Sequence, residues 1–177
     1  AARRTFSGSL RRAAVKAIAA VAERGEPRAL ETFGKAFSDW SAGVRLAAVE
    51  ALAAVAGKGE PFSIALLCDS LGDEDDEVRL ASVRALTQLV EEGDERATTA
   101  LRESLLKDDD PFVRRAAACA LAQLAPRDDG LSAGVLRACL EDDAAPVREA
   151  AKLALAKLAR SHRQNKKKKK STSRRVA

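Results

Sequence analysis

Methionine and tyrosine are absent from this 177-residue sequence, and histidine and tryptophan occur once each. A single histidine excludes the several His–Glu pairs of a metal-dependent hydroxylase, and for the same reason it excludes a Ser/His/Asp or Cys/His nucleophile system. The scarcity of aromatic residues also disfavours a stacking surface for nucleic-acid bases. No apolar run reaches the roughly 18 residues of a membrane-spanning helix. We therefore predict a non-catalytic protein without a cofactor, a metal ion or a membrane span.

Cysteine is scarce as well. Cys68, Cys119 and Cys139 are odd in number, widely spaced and set in predicted helices. This pattern disfavours a disulfide framework and favours a reducing compartment, so we expect an intracellular protein, cytoplasmic or nuclear. No two cysteines have the CxxC spacing of a zinc site.

What the sequence does contain is a repeat. The stretch from Val44 to Val55 occurs five times in recognisable form, at steps of 34, 34, 35 and 34 residues. Small or apolar residues recur 3, 7, 8 and 11 positions after each first residue, which places them on one stripe of an α-helix. The first residues of the five copies are Leu10, Val44, Val78, Val113 and Val147. Self-similarity at this period predicts stacked helical hairpins.

A second, shorter helix is predicted between successive copies. Gly25, Gly59 and Gly93 recur at a step of 34 residues and suit the left-handed backbone position that follows a helix. Pro27 and Pro61 then open the next helix. The predicted second helices cover approximately residues 27–38, 61–71, 95–106 and 131–140.

An aspartate precedes each of the last four repeated arginines by six residues. The pairs are Asp39 and Arg45, Asp73 and Arg79, Asp108 and Arg114, and Asp142 and Arg148. An Asp in the turn and an Arg early in the following helix can bond between adjacent repeats, and we interpret this ladder as a scaffold device. A helix, a turn with Asp and then Val-Arg-x-Ala-Ala-x-x-Ala-Leu-x-x-Leu resembles the HEAT repeat, in the variant labelled PBS-lyase HEAT-like.

The resemblance implies an all-α fold, a right-handed α-α superhelix of about four and a half helical-hairpin repeats. The HEAT-like solenoid would occupy residues 1–160, with repeats near 10–24, 27–57, 61–92, 95–125 and 130–160. We expect a piece of a longer array, because the first helix has no partner helix before it and would expose an apolar flank. The label also leaves a bilin lyase-like subunit as an alternative, although no residue can be assigned to a tetrapyrrole.

Charge is segregated along the chain. Residues 17–160 hold 18 basic and 26 acidic residues, a net charge of −8, whereas residues 1–16 and 161–177 contain bases and no acid. We predict that 161–177 is a disordered basic tail. Its lysine run could serve as a nuclear import signal, as an arm for nucleic acid, as a contact to an acidic partner, or as a plain solubilising tail. The run consists of Lys166, Lys167, Lys168, Lys169 and Lys170.

In a HEAT stack the later helix of each hairpin, which here is the helix of the repeated stretch, lines the concave side, so the resemblance implies a binding groove there. On the face opposite the core stripe, leucines stand among charged residues, as expected of a groove for an amphipathic helix or an extended peptide. The predicted partner-binding residues are Leu46, Glu50, Leu80, Arg84 and Arg115. We interpret Trp40 as a packing residue between helix ends. The predicted function is a scaffold or adaptor for a protein partner, and the alternative is a nucleic-acid-associated protein that uses its basic ends.

Overall fold

In the computed structural model, the described part of the chain comprises residues 7–126 and 128–173, with side chains described up to residue 159. All regular elements in these ranges are helices, in the order expected for repeated hairpins. The α-helices are α1 Gly8–Val21, α2 Pro27–Ala36, α3 Ala42–Val55, α4 Pro61–Asp69, α5 Asp76–Leu89, α6 Glu95–Lys107, α7 Pro111–Leu124, α8 Gly130–Ala138 and α9 Ala145–Ser173. One turn of 3₁₀-helix follows α4 at Ser70–Gly72, and another follows α8 at Cys139–Glu141.

The last helix continues past the predicted end of the array. Its backbone is helical over residues 161–173, where the sequence predicts a disordered tail. Lysine is a good helix former, so this sequence is compatible with a helical backbone. An isolated helix of this length is only marginally stable in water without packing partners. The predicted disorder of residues 161–177 therefore stays a prediction. Residues 174–177 lie outside the described residues.

The chain divides into two compact units, residues 1–91 and 92–177. In the first unit, α3 packs against α1 on one side and α5 on the other, while α2 covers α3 and α4 covers α5. In the second unit, α7 packs against α6 and α9, and α8 covers α9. Each unit therefore has long helices side by side, and α3, α5, α7 and α9 each pack against the helix that precedes them in the chain.

The stripe that recurs in the sequence forms the core. Val44 is 1% exposed, and Leu52, Leu86 and Leu121 are fully buried. Burying a leucine side chain stabilises the fold by about 1.5–3 kcal/mol. Small alanines in the same stripe let neighbouring helices approach closely. The buried alanines in these columns are Ala47, Ala51, Ala85, Ala120, Ala150 and Ala154.

The first repeat is packed differently from the others. Leu10 and Val21 are 58% and 83% exposed, although the matching residues Val44 and Val55 of the next repeat are buried. Helix α1 packs against α2 and α3, and Val15 is its buried residue. The expected exposed apolar flank of the first helix is therefore present.

Acidic side chains begin most of the helices in the middle of the chain. The Asp110 carboxylate accepts hydrogen bonds from the backbone N–H groups of Phe112 and Val113 at 2.8 and 3.0 Å. Such a cap satisfies backbone donors that have no partner within the helix and stabilises by about 1 kcal/mol. Equivalent caps come from Glu60, Asp75, Asp94 and Asp129.

Three glycines connect successive repeats, as the sequence predicts. Gly25, Gly59 and Gly93 have φ angles of 79°, 76° and 96°, in the left-handed region that residues with a side chain rarely adopt. Their backbone N–H groups also reach the next long helix, which the sequence did not indicate. They donate to the carbonyl oxygens of Val55, Leu89 and Leu124 at 2.7, 2.7 and 2.8 Å, respectively.

Buried serines distinguish the two units. In the first unit, the hydroxyl groups of Ser70 and Ser82 lie 2.7 Å apart, and each is also within hydrogen-bond distance of a backbone carbonyl oxygen, of Leu67 and Val78 respectively. Because each hydroxyl has a single proton, one of the two donates to the other. Ser104 occupies the place of Ser70 one repeat later, but Ala117 stands where Ser82 would be. The Ser104 hydroxyl is buried and has no hydrogen-bond partner among the described residues. A buried hydroxyl without a partner destabilises the fold.

We expect Ser104→Ala to raise the free energy of unfolding by up to about 1 kcal/mol, because it removes this unsatisfied group. Ser82→Ala should lower it by about 1 kcal/mol or more, because the Ser70 hydroxyl loses one of its bonds. Urea denaturation of both variants measures the difference. If Ser104→Ala destabilises as much as Ser82→Ala, the Ser104 hydroxyl is not an unsatisfied group.

Candidate functional site

Arg45 is the centre of the bonding between adjacent repeats in the first unit. Its Nε and Nη2 atoms donate to the two carboxylate oxygens of Asp73, each at 2.7 Å. Its Nη1 atom donates to the backbone carbonyl oxygen of Asp39 at 2.9 Å. Arg45 is only 7% exposed, so the guanidinium ties two successive turns together in a place that is nearly free of water. Two parallel charge-assisted bonds are among the stronger side-chain interactions.

The same two-bond geometry recurs in each unit. Arg11 donates to Asp39 at 2.6 and 2.8 Å, and Arg114 donates to Asp142 at 2.9 Å through both nitrogens. Each of these pairs joins residues 28 positions apart, so an arginine bonds the aspartate of the following repeat. Within one repeat, the arginine that follows an aspartate by six residues donates to the backbone carbonyl oxygen of that aspartate. These bonds join Arg79 to Asp73, Arg114 to Asp108 and Arg148 to Asp142 at 2.9, 2.9 and 2.6 Å.

The residue after three of the ladder aspartates, Asp39, Asp73 and Asp142, also contacts the arginine, and sequence reasoning missed this column. Glu74 accepts from Arg45 Nη2 at 3.0 Å, and Asp143 accepts from Arg114 Nη2 at 2.5 Å. In the first repeat the column holds Trp40, whose ring centroid lies 4.8 Å from the Arg11 guanidinium carbon. A cation–π contact thus takes the place of a second carboxylate. The interpretation of Trp40 as a packing residue was wrong, because Trp40 is 75% exposed.

The ladder lowers the pKa of its carboxyl groups. Hydrogen bonds from Arg11 lower the pKa of Asp39, and hydrogen bonds from Arg114 lower the pKa of Asp142. For Asp73, burial by itself would raise the pKa, but the bonds from Arg45 and from the Asp75 backbone N–H outweigh it and the net pKa is lowered. These aspartates are therefore more acidic in the folded state than in the unfolded chain.

We expect acid to weaken the fold in a defined range. Because the folded pKa of Asp39, Asp73 and Asp142 lies below the unfolded value of about 3.9, the contribution of these three aspartates is fully present above about pH 4. It is lost as the pH falls through the lower folded values. Urea midpoints measured from pH 7 down to pH 3 should show this loss. The urea midpoint of Asp73→Asn should fall less between pH 7 and pH 3 than that of the wild type. An equal fall in the two proteins would contradict the contribution of the Asp73 carboxylate to stability.

A cleft opens between α3 and α5 on the exposed face of the long helices. It has a volume of about 330 Å³. Its floor consists of small apolar residues, and charged or polar side chains stand on its walls. The lining residues are Val49, Glu50, Ala53 and Ala54 from α3 and Ala81, Arg84, Ala85 and Gln88 from α5.

The predicted partner-binding residues are distributed unevenly around this cleft. Glu50 and Arg84 line it, whereas Leu46 and Leu80 are half-buried and do not. Arg115 is exposed on α7, in the second unit. The Glu50 carboxylate also forms an ion pair with Lys16, with 3.3 Å between Oε2 and Nζ, and this pair joins α3 to α1.

Sequence reasoning missed Ala54 and Gln88, which lie ten residues after Val44 and Val78. The sequence signal that could have identified them is their spacing, because each lies four residues after a predicted groove residue, Glu50 or Arg84, on the same helix.

A more polar depression lies in the second unit beside the Arg114–Asp142 pair. It has a volume of about 440 Å³ and surrounds the ladder bonds. Its lining residues are Leu106, Lys107, Asp108, Asp109, Arg114, Asp142 and Asp143. The arginine here is already engaged by two carboxylates, so we assign this depression to the ladder.

Other site chemistries have little support in the described residues. Within residues 7–126 and 128–173, no three His, Cys, Asp or Glu side chains come together in a way that could hold a metal ion. None of the described helices is both long and apolar enough to cross a membrane. Among the described residues, Cys68, Cys119 and Cys139 form no disulfide, and burial raises the pKa of Cys139.

Comparison with known families identifies the repeat. The family model described as HEAT repeats matches residues 1–87 and 64–156. The chain belongs to the HEAT repeat family. A search of curated protein sequences finds no match. The recurring hairpins described above are therefore HEAT repeats, and the predicted all-α repeat fold is confirmed.

Solved structures similar to this HEAT repeat chain are designed or engineered proteins. A designed armadillo repeat protein in complex with the peptide (KR)4 has a TM-score of 0.65 and 22% identity, over 86% of this chain and 77% of that chain. A second designed armadillo repeat protein has a TM-score of 0.60 and 22% identity, over 88% of this chain and 78% of that chain. An engineered protein also has a TM-score of 0.60 and 22% identity, over 87% and 77%. At this identity the likeness shows the helical-repeat fold alone.

Proposed function

We propose that this HEAT repeat chain is a non-catalytic scaffold or adaptor that binds a protein partner on the exposed face of its long helices. The observation that carries the proposal is the cleft between α3 and α5, with its alanine-rich floor and its walls of Glu50, Arg84 and Gln88. An apolar surface rimmed by charge is the usual composition of a protein-binding site. Three cysteines that form no disulfide in the described part of the chain support an intracellular location, cytoplasmic or nuclear.

The ladder residues are poor candidates for the binding surface. Arg45 and the Asp73 carboxylate are buried and satisfy each other, so a partner would have to break a strong pair to reach them. Glu50, Arg84 and Ala54 are exposed and can meet a partner without any rearrangement of the core. Repeat proteins commonly bind partners on extended surfaces of this kind. The designed armadillo neighbour, whose structure includes the peptide (KR)4, offers a related precedent.

Paired capture experiments test this proposal. We expect Leu46→Ser with Leu80→Ser, and separately Ala54→Arg, to reduce the recovery of the proteins captured from a cell extract by the wild-type chain. Far-UV circular dichroism should remain nearly unchanged, because Ala54 is exposed and both leucines are half-buried. Arg28→Ala on α2 is the matched control, because Arg28 is exposed and does not line the cleft. Equal recovery by the wild type, the Leu46/Leu80 variant and the Ala54→Arg variant, as measured by quantitative mass spectrometry, would refute the proposal.

The basic ends favour a second candidate, association with nucleic acid. Residues 161–177 hold eight bases and no acid, a composition that binds phosphate in a salt-dependent way. If this tail serves nucleic acid, RNA or duplex DNA should bind the intact chain with a steep dependence on salt. Removal of residues 161–177 should then abolish that binding. Retention of binding after the removal would exclude the tail as the contact.

A further inference from the structure

We infer that the cleft between α3 and α5 accepts an extended peptide segment that carries carboxylates and small apolar side chains, and that Arg84 selects the carboxylate. The inference rests on the binding function proposed above and specifies the partner chemistry for that same cleft. It depends on the charge of the face and on the size and lining of the cleft.

Positive charge is in excess on the exposed face of the long helices in the first unit. Arg12, Lys16 and Arg84 stand there against two acids, Glu50 and Glu77, the second of which lies seven residues before Arg84 on α5. The repeat region as a whole is acidic. Arg12 reaches across to α3, where its Cδ atom would lie 3.8 Å from a Cβ atom at Gly43. Most other acids of the unit lie in turns or at helix starts, as in the run from Asp73 to Asp76. A basic segment would meet like charges on this face, whereas an acidic segment would be attracted.

Arg84 is the charge that is available to a ligand. Glu50 is already engaged by Lys16, with a distance of 3.3 Å between the Lys Nζ and a carboxylate oxygen. In the part of the chain that the structure describes, Arg84 has no ion-pair partner, and its side chain is exposed on the wall of the cleft. A guanidinium presents a planar set of donors that matches the two oxygens of a carboxylate. We therefore assign the selection of an acidic side chain to Arg84.

The dimensions of the cleft favour an extended strand. About 330 Å³ is at the lower end of the range for ligand pockets, and a helix of 10–12 Å diameter needs a wider groove. Alternate side chains of an extended chain point in opposite directions, so small apolar side chains can face the alanine floor while the backbone stays above it. Gln88 carries both a donor and an acceptor and can bond the free amide groups of such a backbone. The carboxylate would then sit opposite Arg84.

Fluorescence anisotropy on the full chain tests the inference. The probe is a labelled peptide that alternates Glu and Ala, compared with an otherwise equal peptide that alternates Lys and Ala. We expect the Glu–Ala peptide to bind more tightly, and Arg84→Gln to weaken it about fivefold, as for an exposed ion pair. Ala54→Glu, which adds a carboxylate to the cleft, should weaken it at least as much. Arg28→Gln removes a similar charge outside the cleft and leaves the basic tail in place, so it should bind like the wild type.

Each possible result has a distinct meaning. Tighter binding of the Lys–Ala peptide, no binding of the Glu–Ala peptide, or equal binding of Glu–Ala by wild type and Arg84→Gln would overturn the inference. The proposed function would survive these results if the Leu46/Leu80 and Ala54→Arg variants still lose their captured proteins from extract. If capture is unaffected in those variants, the proposed function itself is wrong.

Discussion

We expect Arg45→Ala to lower the free energy of unfolding by about 3–5 kcal/mol, the range for breaking a buried ion pair from one side. The substitution removes both bonds to Asp73 and the bond to the Asp39 carbonyl. It leaves the Asp73 carboxylate, whose side chain is 9% exposed, without its main partner. A buried charge without a partner is costly because water cannot replace the lost bonds. The expected loss is a large share of the 5–15 kcal/mol that is typical of a folded protein.

Chemical denaturation of matched variants separates this effect from the loss of an ordinary surface pair. Lys35 and Glu31 form an exposed ion pair at 2.8 Å on α2, so Lys35→Ala should cost less than about 1 kcal/mol. Arg45→Lys keeps the charge but cannot form two parallel bonds, so its cost should lie between those of the two alanine variants. If Arg45→Ala costs no more than Lys35→Ala, the ladder does not stabilise the first unit.

We expect Leu86→Ala to cost about 2–5 kcal/mol of unfolding free energy. Leu86 is fully buried in α5, at the repeat position that Leu52 and Leu121 occupy in their own helices. The loss combines the transfer free energy of the removed atoms with the cavity that remains, because packed helices relax only partly around a void. Leu121→Ala should cost a similar amount for the same reason.

Leu153→Ala is the control for the core substitutions. Leu153 is 64% exposed on α9, so its truncation should change the free energy of unfolding by no more than about 0.5 kcal/mol. Urea titrations followed by circular dichroism measure all three leucine variants under the same conditions. A cost for Leu86→Ala as small as that for Leu153→Ala would mean that the repeated stripe is not the core.

The ladder shows how far a repeat pattern can be read. Asp39 and Arg45 are recognisable because aspartate and arginine recur six residues apart. The structure pairs the Arg45 guanidinium with the Asp73 carboxylate of the next repeat and with the Asp39 carbonyl of its own turn. Arg11 has no aspartate six residues before it and yet bonds Asp39 in the same way. A periodic sequence shows which residue types recur, but it does not show which neighbouring copy each side chain reaches.

The candidate site was predictable only in part. Glu50 and Arg84 were identified because polar residues on the face opposite a core stripe remain exposed, and both line the cleft. Leu46 and Leu80 are half-buried, because close packing of neighbouring long helices covers part of that face. Gln88 was missed because the edge of a groove depends on how far apart two helices stand, which no single helix specifies.

By itself, the sequence determined the helices, their order, the buried stripe and the left-handed glycines, because periodicity, propensity and backbone sterics act over a few neighbouring residues. Only the tertiary structure decided which repeats exchange the arginine bonds, that Trp40 stacks in the open on Arg11, that Ser104 has no partner and where the cleft opens. These features depend on contacts between residues about thirty positions apart. Such contacts form when helices pack, and their geometry is set by side-chain volumes and distances rather than by local pattern.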